Sequence, residues 1–415
     1  MATDRTLRQP RSITAGALAE PGPSLKLLIQ GWRFIHHSYA LVAQAHSLSL
    51  LRRDDVELRF QDLPFVTPEW QPSRGIFDPD DERALAELRG PDASFVPEAT
   101  VRFARDFTPP PSGRAFVFDT PEFRALRPGV MRKLRAGAEA ADRVHMLVPS
   151  CWAAEAYLRF GMAPERVHVV PHGVDPRVLH PDEARRIEAR RKLGVDSCFV
   201  FMSVGAMSEN KGIDLLLRAF ARVADSHADA RLVLKGADDL YVSRNSVQRA
   251  LEALSTADRE AAASRIVYFG DRRSARDMAD LLRAADVYVS PYLAEGFNLP
   301  VLEAAACGVP VICTGGGATD DFTAPSFAWR IRSRPEPART DLGFIGEVLQ
   351  PDVDHLIELM RQVVRERDSA RAMGAAGAAH VAQRFTWDRV TERLMDELRG
   401  KTAISERLAP RRSHP

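Results

Sequence analysis

The sequence predicts an α/β protein built from two Rossmann-like domains, and three observations predict it. The chain has 415 residues, which is long for a single hydrophobic core and suits two domains of about 150–200 residues. Through residues 199–313, short β-branched runs alternate with longer amphipathic stretches. That alternation marks parallel strands joined by crossover helices. Near the start, Leu25–Gln30 reads as a strand, ends at Gly31 and leads into a helical stretch, the usual opening of a nucleotide-binding type of domain.

Composition narrows the function classes. A hydrophobic share of 45% with 27% charged residues is that of a soluble globular chain. The formal net charge of +1 leaves no electrostatic footprint for nucleic acid. Cys151, Cys198, Cys307 and Cys313 show neither CxxC nor zinc-ligand spacing, so they read as small core side chains in a reducing compartment. No apolar run approaches 18 residues, so no membrane span is expected. A cytoplasmic protein follows, with peripheral contact at the inner membrane face left open.

Residues 1–23 carry charges and prolines without an apolar core, and are expected to be a disordered lead-in rather than a secretory signal. The first domain is expected over 24–180. After Leu25–Gln30 comes a helix from Tyr39 to Arg53. Further strands are expected at Val56–Phe60, Thr100–Phe103, Ala115–Phe118, Arg143–Val148 and Arg166–Val170. The proline-rich connections Pro64–Pro79 and Phe107–Gly113 are long, and long loops in compact domains are commonly functional. Ligands of open α/β sheets bind beyond the carboxyl ends of strands. Arg102, Asp106 and Glu122 lie at such ends, as ligand contacts or, alternatively, as surface salt bridges. In Pro171-His172-Gly173-Val174-Asp175 the glycine suits a turn with positive φ.

The second domain is expected over 181–385, with strands at Phe199–Val204, Arg231–Lys235, Arg265–Phe269, Asp286–Ser290 and Val309–Cys313. Between the first two, Leu215, Leu216, Ala219, Phe220 and Val223 fall on one helical face. Ala318–Gln350 reads as irregular. Helices at Val353–Arg365 and Asp368–Arg384 precede an amphipathic final helix, Trp387–Leu398, within a terminal element 386–400. Residues 401–415 read as a flexible tail.

The stretch Glu295-Gly296-Phe297-Asn298-Leu299-Pro300-Val301-Leu302-Glu303 follows a predicted strand and opens a helix that Gly308 closes. A helix N-terminus with free N–H groups suits an anion. Carboxylates flanking it accept hydrogen bonds from hydroxyls of the kind sugars and riboses offer. The alternative is an ordinary βαβ unit with both glutamates solvated on its rim.

Those two glutamates, seven residues apart, resemble the E-x7-E signature of the family 4 retaining glycosyltransferases, two-domain enzymes of the GT-B type. Ser290-Pro291-Tyr292 and Gly315-Gly316-Gly317 also fit that pattern, and Pro171–Asp175 is similar to the family's interdomain passage. The resemblance implies two Rossmann-like domains facing a cleft, with the final helix packed back on the first. It implies transfer of a sugar, with retention, from a nucleoside-diphosphate sugar to a hydroxyl of a glycan, lipid-linked or small-molecule acceptor. No metal or cofactor is implied beyond that co-substrate. Glu303 would hold the ribose hydroxyls, Glu295 would contact the sugar, and Lys211 would neutralise the diphosphate. Gly205, Gly296 and the backbone at Phe297, Asn298 and Leu299 would complete the donor site. Gly31, His37 and Ser38 would lie across the cleft, with Arg102, Asp106 and Glu122 on the acceptor side.

The chain departs from the pattern twice. Where the family has an arginine five residues before the lysine, this sequence has Ala206. Lys235 is the expected compensating cation, with Arg272 and Arg273 in reserve. No counterpart appears for the histidine that many members carry after a first-domain strand. A degenerate sugar-nucleotide-binding protein and a nucleotide-sugar epimerase of the same architecture remain the alternatives.

Overall fold

The computed structural model describes residues 24–66, 70–136, 142–339 and 345–401. The expected lead-in, and all of the expected tail but Lys401, lie outside them. In chain order the first domain comprises β1 (Leu25–Gly31), α1 (Ser38–Leu51), β2 (Val56–Asp62), α2 (Pro79–Glu87), β3 (Ala99–Arg102), β4 (Arg114–Phe118), α3 (Pro128–Ala136), β5 (Val144–Val148), α4 (Cys151–Arg159) and β6 (Val167–Val169). Its strands are all parallel, in the order β2-β1-β3-β4-β5-β6. β3 and β5 are buried along their whole length, because helices cover both faces of a parallel sheet.

The second domain comprises α5 (Glu183–Leu193), β7 (Phe199–Val204), α6 (Ile213–Ser226), β8 (Ala230–Lys235), α7 (Ser243–Glu252), α8 (Thr256–Ala263), β9 (Ile266–Phe269), α9 (Ala275–Arg283), β10 (Val287–Ser290), α10 (Leu299–Ala306), β11 (Val311–Thr314) and β12 (Ala328–Ile331). A hairpin, β13 (Ser333–Arg339) and β14 (Ile345–Pro351), follows, then α11 (Val353–Arg365), α12 (Arg367–Arg384) and α13 (Trp387–Leu398). The second sheet is also parallel, in the order β12-β11-β10-β7-β8-β9. Strand order reverses between β1 and β3 in one sheet and between β7 and β10 in the other. Crevices for ligands open beyond the carboxyl ends of strands at such reversals.

Each expected strand is present to within two residues at either end. The region expected to be irregular is not: it holds the edge strand β12 and the antiparallel hairpin β13–β14. Pro335 and Pro337 alternate along β13, and proline is tolerated in a strand only where no ladder N–H is needed, as at an edge. Among the described residues, no helix is long and apolar enough to cross a membrane.

The chain crosses between the domains twice, side by side. Val174 pairs with Thr386 in an isolated parallel bridge, with Val174 N donating to Phe385 O at 2.8 Å and Trp387 N to Val174 O at 3.1 Å. Gly173 is not in the positive-φ region expected of it. It is glycine because a Cβ there would stand 2.7 Å from Trp387 N. After the second crossing, α13 buries Val390, Leu394, Met395 and Leu398 in the core of the first domain. His46 Nδ1 meets Thr391 Oγ1 at 2.9 Å and His168 Nδ1 meets Glu397 Oε2 at 2.7 Å, which fix the helix there.

Candidate active site

The carboxyl ends of both sheets face one cleft of about 1150 Å³. On the second domain, the loop after β7 makes one tight turn, with Lys211 N donating to Ser208 O (3.0 Å) and Gly212 N to Glu209 O (2.8 Å). Asn210 O accepts from Leu293 N (2.8 Å) and Ala294 N (3.1 Å), which stitches this loop to the one after β10. The two loops flank the strand reversal, so Lys211 and Glu295 meet although 84 residues separate them in sequence. Lys211 Nζ stands 2.9 Å from Glu295 Oε2 and 3.1 Å from Glu122 Oε1 of the first domain. Burial alone would lower the ammonium's pKa, but the two carboxylates outweigh it and raise it. Burial, with Glu122 beside it, raises that of Glu295 against the pull of Lys211.

Gly212 sets this geometry. Its φ is +70°, and a Cβ would lie 2.0 Å from Pro291 O. Both the left-handed conformation and the clash with backbone oppose any side chain. Gly212→Ala is expected to cost about 2–4 kcal/mol of stability, read as a lower urea midpoint. An unchanged midpoint would mean that the loop is not held against β10 in this way.

At the mouth of α10, Asn298 adopts φ +74° and donates from Nδ2 to Ser290 Oγ at 2.9 Å. Phe297 packs between the rings of His172 and Phe322, each 4.7 Å away. These contacts aim the start of α10 into the cleft. Pro300 carries no N–H and Val301 N donates to Asn298 O at 3.1 Å, so the N–H groups it offers an anion are those of Asn298 and Leu299. Ser150 Oγ donates to Gly296 O at 2.7 Å across the domains. Glu303 lies one turn further along α10, behind the lining residues Leu299 and Pro300. Among the described residues its carboxylate has no hydrogen-bond or ion-pair partner, and burial pushes its pKa up to about 7.

Across the cleft, Asp119 follows β4 and accepts from Arg105 Nε (2.7 Å), Tyr157 OH (2.7 Å) and Tyr39 OH (2.9 Å). His37 caps α1, its Nδ1 accepting from Tyr39 N at 3.3 Å, and rests against Trp70 with ring centroids 4.9 Å apart. Burial, and then Arg105, lower its pKa, so a neutral imidazole presents Nε2–H. His172 also lines the cleft. Burial, with His46 adding to it, pushes its pKa down to about 3.

Of the residues named from sequence, Lys211, Glu295, Gly205, Gly296, Phe297, Asn298, Leu299, His37, Ser38 and Glu122 line this one cavity. Four do not. Arg102 is turned into the domain, donating to Gln30 Oε1 at 2.9 Å and Asp106 O at 3.1 Å. Asp106 closes its own turn, accepting from Thr108 N (3.0 Å) and Oγ1 (2.6 Å). Gly31 packs beneath Phe103 and Ala43. Lys235, the expected compensation for Ala206, is buried, donates to Gly236 O and is not among the residues that line the cleft. Among the described residues lining the cleft, the cations besides Lys211 are Arg105 and Arg127, both on the first domain. Arg105, Asp119, Asn210 and His172 were not singled out as site residues from sequence. The position of Asp119 directly after β4 is the signal that could have found it.

Residues 198–325 match the family described as "Glycosyl transferases group 1". D-inositol 3-phosphate glycosyltransferase of Acidothermus cellulolyticus is 30% identical over 283 residues, 66% of this chain and 57% of that protein. A GDP-mannose-dependent monoacylated α-(1-6)-phosphatidylinositol monomannoside mannosyltransferase of Corynebacterium glutamicum is 32% identical over 252 residues, 58% of each chain. The chain thus spans a little over half the length of these relatives. Sucrose-phosphate synthase of Thermosynechococcus elongatus superposes over 91% of this chain and 99% of its own, with a TM-score of 0.63 at 15% identity. Anabaena HepE, in complex with UDP and glucose, superposes over 91% of this chain and 100% of its own, with a TM-score of 0.62 at 14% identity. The chain therefore has the GT-B fold, and the segment that carries Lys211, Glu295 and Glu303 is the one that matches the group 1 glycosyl transferases.

Proposed function

We propose that this protein is a retaining glycosyltransferase that moves a sugar from a nucleoside-diphosphate sugar to an acceptor hydroxyl. The observation that carries the reading is Lys211 paired with Glu295 at 2.9 Å in a cleft that the start of α10 also lines, with Asp119, His37 and Glu122 of the other domain on its far wall. Breaking the glycosidic bond to a diphosphate develops negative charge on the leaving group. A fixed cation and aligned backbone N–H groups in a partly water-excluded site stabilise that charge. Lys211 is the cation and the start of α10 supplies the N–H groups. Glu303, a carboxylate without a partner among the described residues, accepts the ribose hydroxyls, and Glu295 meets the sugar. The reading assigns no enzymic nucleophile: the acceptor hydroxyl attacks on the face that the diphosphate leaves, and no metal is invoked. The names of the relatives and the UDP and glucose bound by Anabaena HepE support it.

The test is thermal denaturation with UDP, GDP, ADP and TDP and their common sugar conjugates, followed by turnover of any ligand that binds. A ligand at about 100 times its Kd stabilises by about 2.7 kcal/mol. Stabilisation by one base series, lost in Glu303→Ala, is the expected result. No shift with any of them would leave a degenerate site and overturn the proposal.

A further inference from the structure

The lysine assigned to the donor is already engaged from the opposite domain. Glu122, on the loop after β4, places Oε1 3.1 Å from Lys211 Nζ and Oε2 3.1 Å from Asn210 Nδ2. Lys211 also holds Glu295 at 2.9 Å. One ammonium thus serves two carboxylates, and a diphosphate would be a third anionic claimant. The loop offers no second cation, since Ala206 stands in it, and Arg105 across the cleft is committed to Asp119 at 2.7 Å.

The carboxylates are not equally free to leave. Glu295 belongs to the same domain as Lys211 and its side chain is 13% exposed, whereas that of Glu122 is 37% exposed. The Glu122 backbone is pinned by Trp152 Nε1, which donates to its carbonyl at 2.7 Å. Its side chain can therefore swing without moving the loop. Resting on the donor reading above, we propose that Glu122 is a carboxylate gate on the donor site, holding Lys211 and Asn210 across the cleft and giving way to the diphosphate. Donor affinity is then set by a contest between a carboxylate of one domain and the phosphates for a single cation of the other. This makes Glu122 a specificity-determining residue, which penalises ligands too weakly charged to win the exchange.

The experiment is isothermal titration of the full chain and of Glu122→Gln. The ligands are UDP, GDP, ADP and TDP and, for the base that binds, the corresponding monophosphate and nucleoside. Glutamine keeps the shape and the hydrogen-bond acceptor but removes the charge that opposes the phosphates. Removing one like charge at this range is expected to tighten diphosphate binding by about tenfold. The gain should be smaller for the monophosphate and absent for the nucleoside, and Glu122→Ala should give the same ordering. Equal gains for all three ligands would mean that Glu122 acts only on domain closure, and would overturn the gate. So would unchanged or weaker diphosphate binding in the variants while the unaltered protein binds. If neither protein binds any nucleoside diphosphate, the donor reading itself falls and the gate falls with it.

Discussion

Lys211→Ala is expected to lower kcat/KM by about a thousandfold, the scale seen when a preorganised group facing developing negative charge is removed. The loss should sit mainly in kcat, because the leaving diphosphate carries more charge than the bound donor and the ammonium is worth most at that point. Stability should fall as well. Without the ammonium, Glu122 and Glu295 face each other with no cation between them. Glu122 can turn to water, but the more buried Glu295 must take up a proton or stay charged without a partner, at a cost of about 1–3 kcal/mol. Initial rates with saturating donor, together with urea denaturation of the free protein, measure the two effects separately. A variant that keeps activity within tenfold would remove Lys211 from the diphosphate and with it the electrostatic account of the site.

Glu303→Gln is the second large expectation, and it carries a pH signature. Burial holds the Glu303 carboxyl at about 7, above its ordinary 4.5. The folded protein therefore binds this proton more tightly than the unfolded chain. Stability from the protonated carboxyl is fully present below about pH 4.5 and is lost as pH rises through 7. At about 1.4 kcal/mol per pH unit the ceiling is about 3 kcal/mol. Donor affinity should run the opposite way, strengthening from pH 6 to 8, because only the carboxylate accepts hydrogen bonds from two ribose hydroxyls at once. Glutamine in its place should flatten both slopes and weaken donor binding by about tenfold. Slopes that survive the substitution would assign the titration to another group and take Glu303 off the ribose.

Much of the fold was legible because its signals are local. Apolar runs of four to six residues between amphipathic stretches locate the parallel strands, since a strand buried on both faces must be apolar throughout. The hairpin β13–β14 escaped because Pro335 and Pro337 read as loop residues until their edge positions are known. Within the site, the Glu295–Glu303 stretch was legible as one contiguous segment. Its partners were harder to find. Arg102 and Arg105 sit three residues apart at the same strand end, and composition does not say which turns inward. Register decides it: Arg102 still lies on β3 opposite Gln30 and stays in the domain. Arg105 is past the strand and reaches Asp119 in the cleft.

The sequence by itself determined two Rossmann-like domains, the order of their strands along the chain, a lysine and a glutamate at loops that follow strands of the second domain, and a second glutamate in the helix that comes next. Each of those follows from hydrophobic period, turn residues and short motifs, which act over a few residues. Only the tertiary structure decided that Lys235 is committed to Gly236, that Arg105 rather than Arg102 enters the cleft, and that Glu122 reaches across to Lys211. Those outcomes depend on which strand ends face each other across the two crossings at Val174 and Thr386. The pairing of side chains from different domains is set by that packing and has no local signal in the chain.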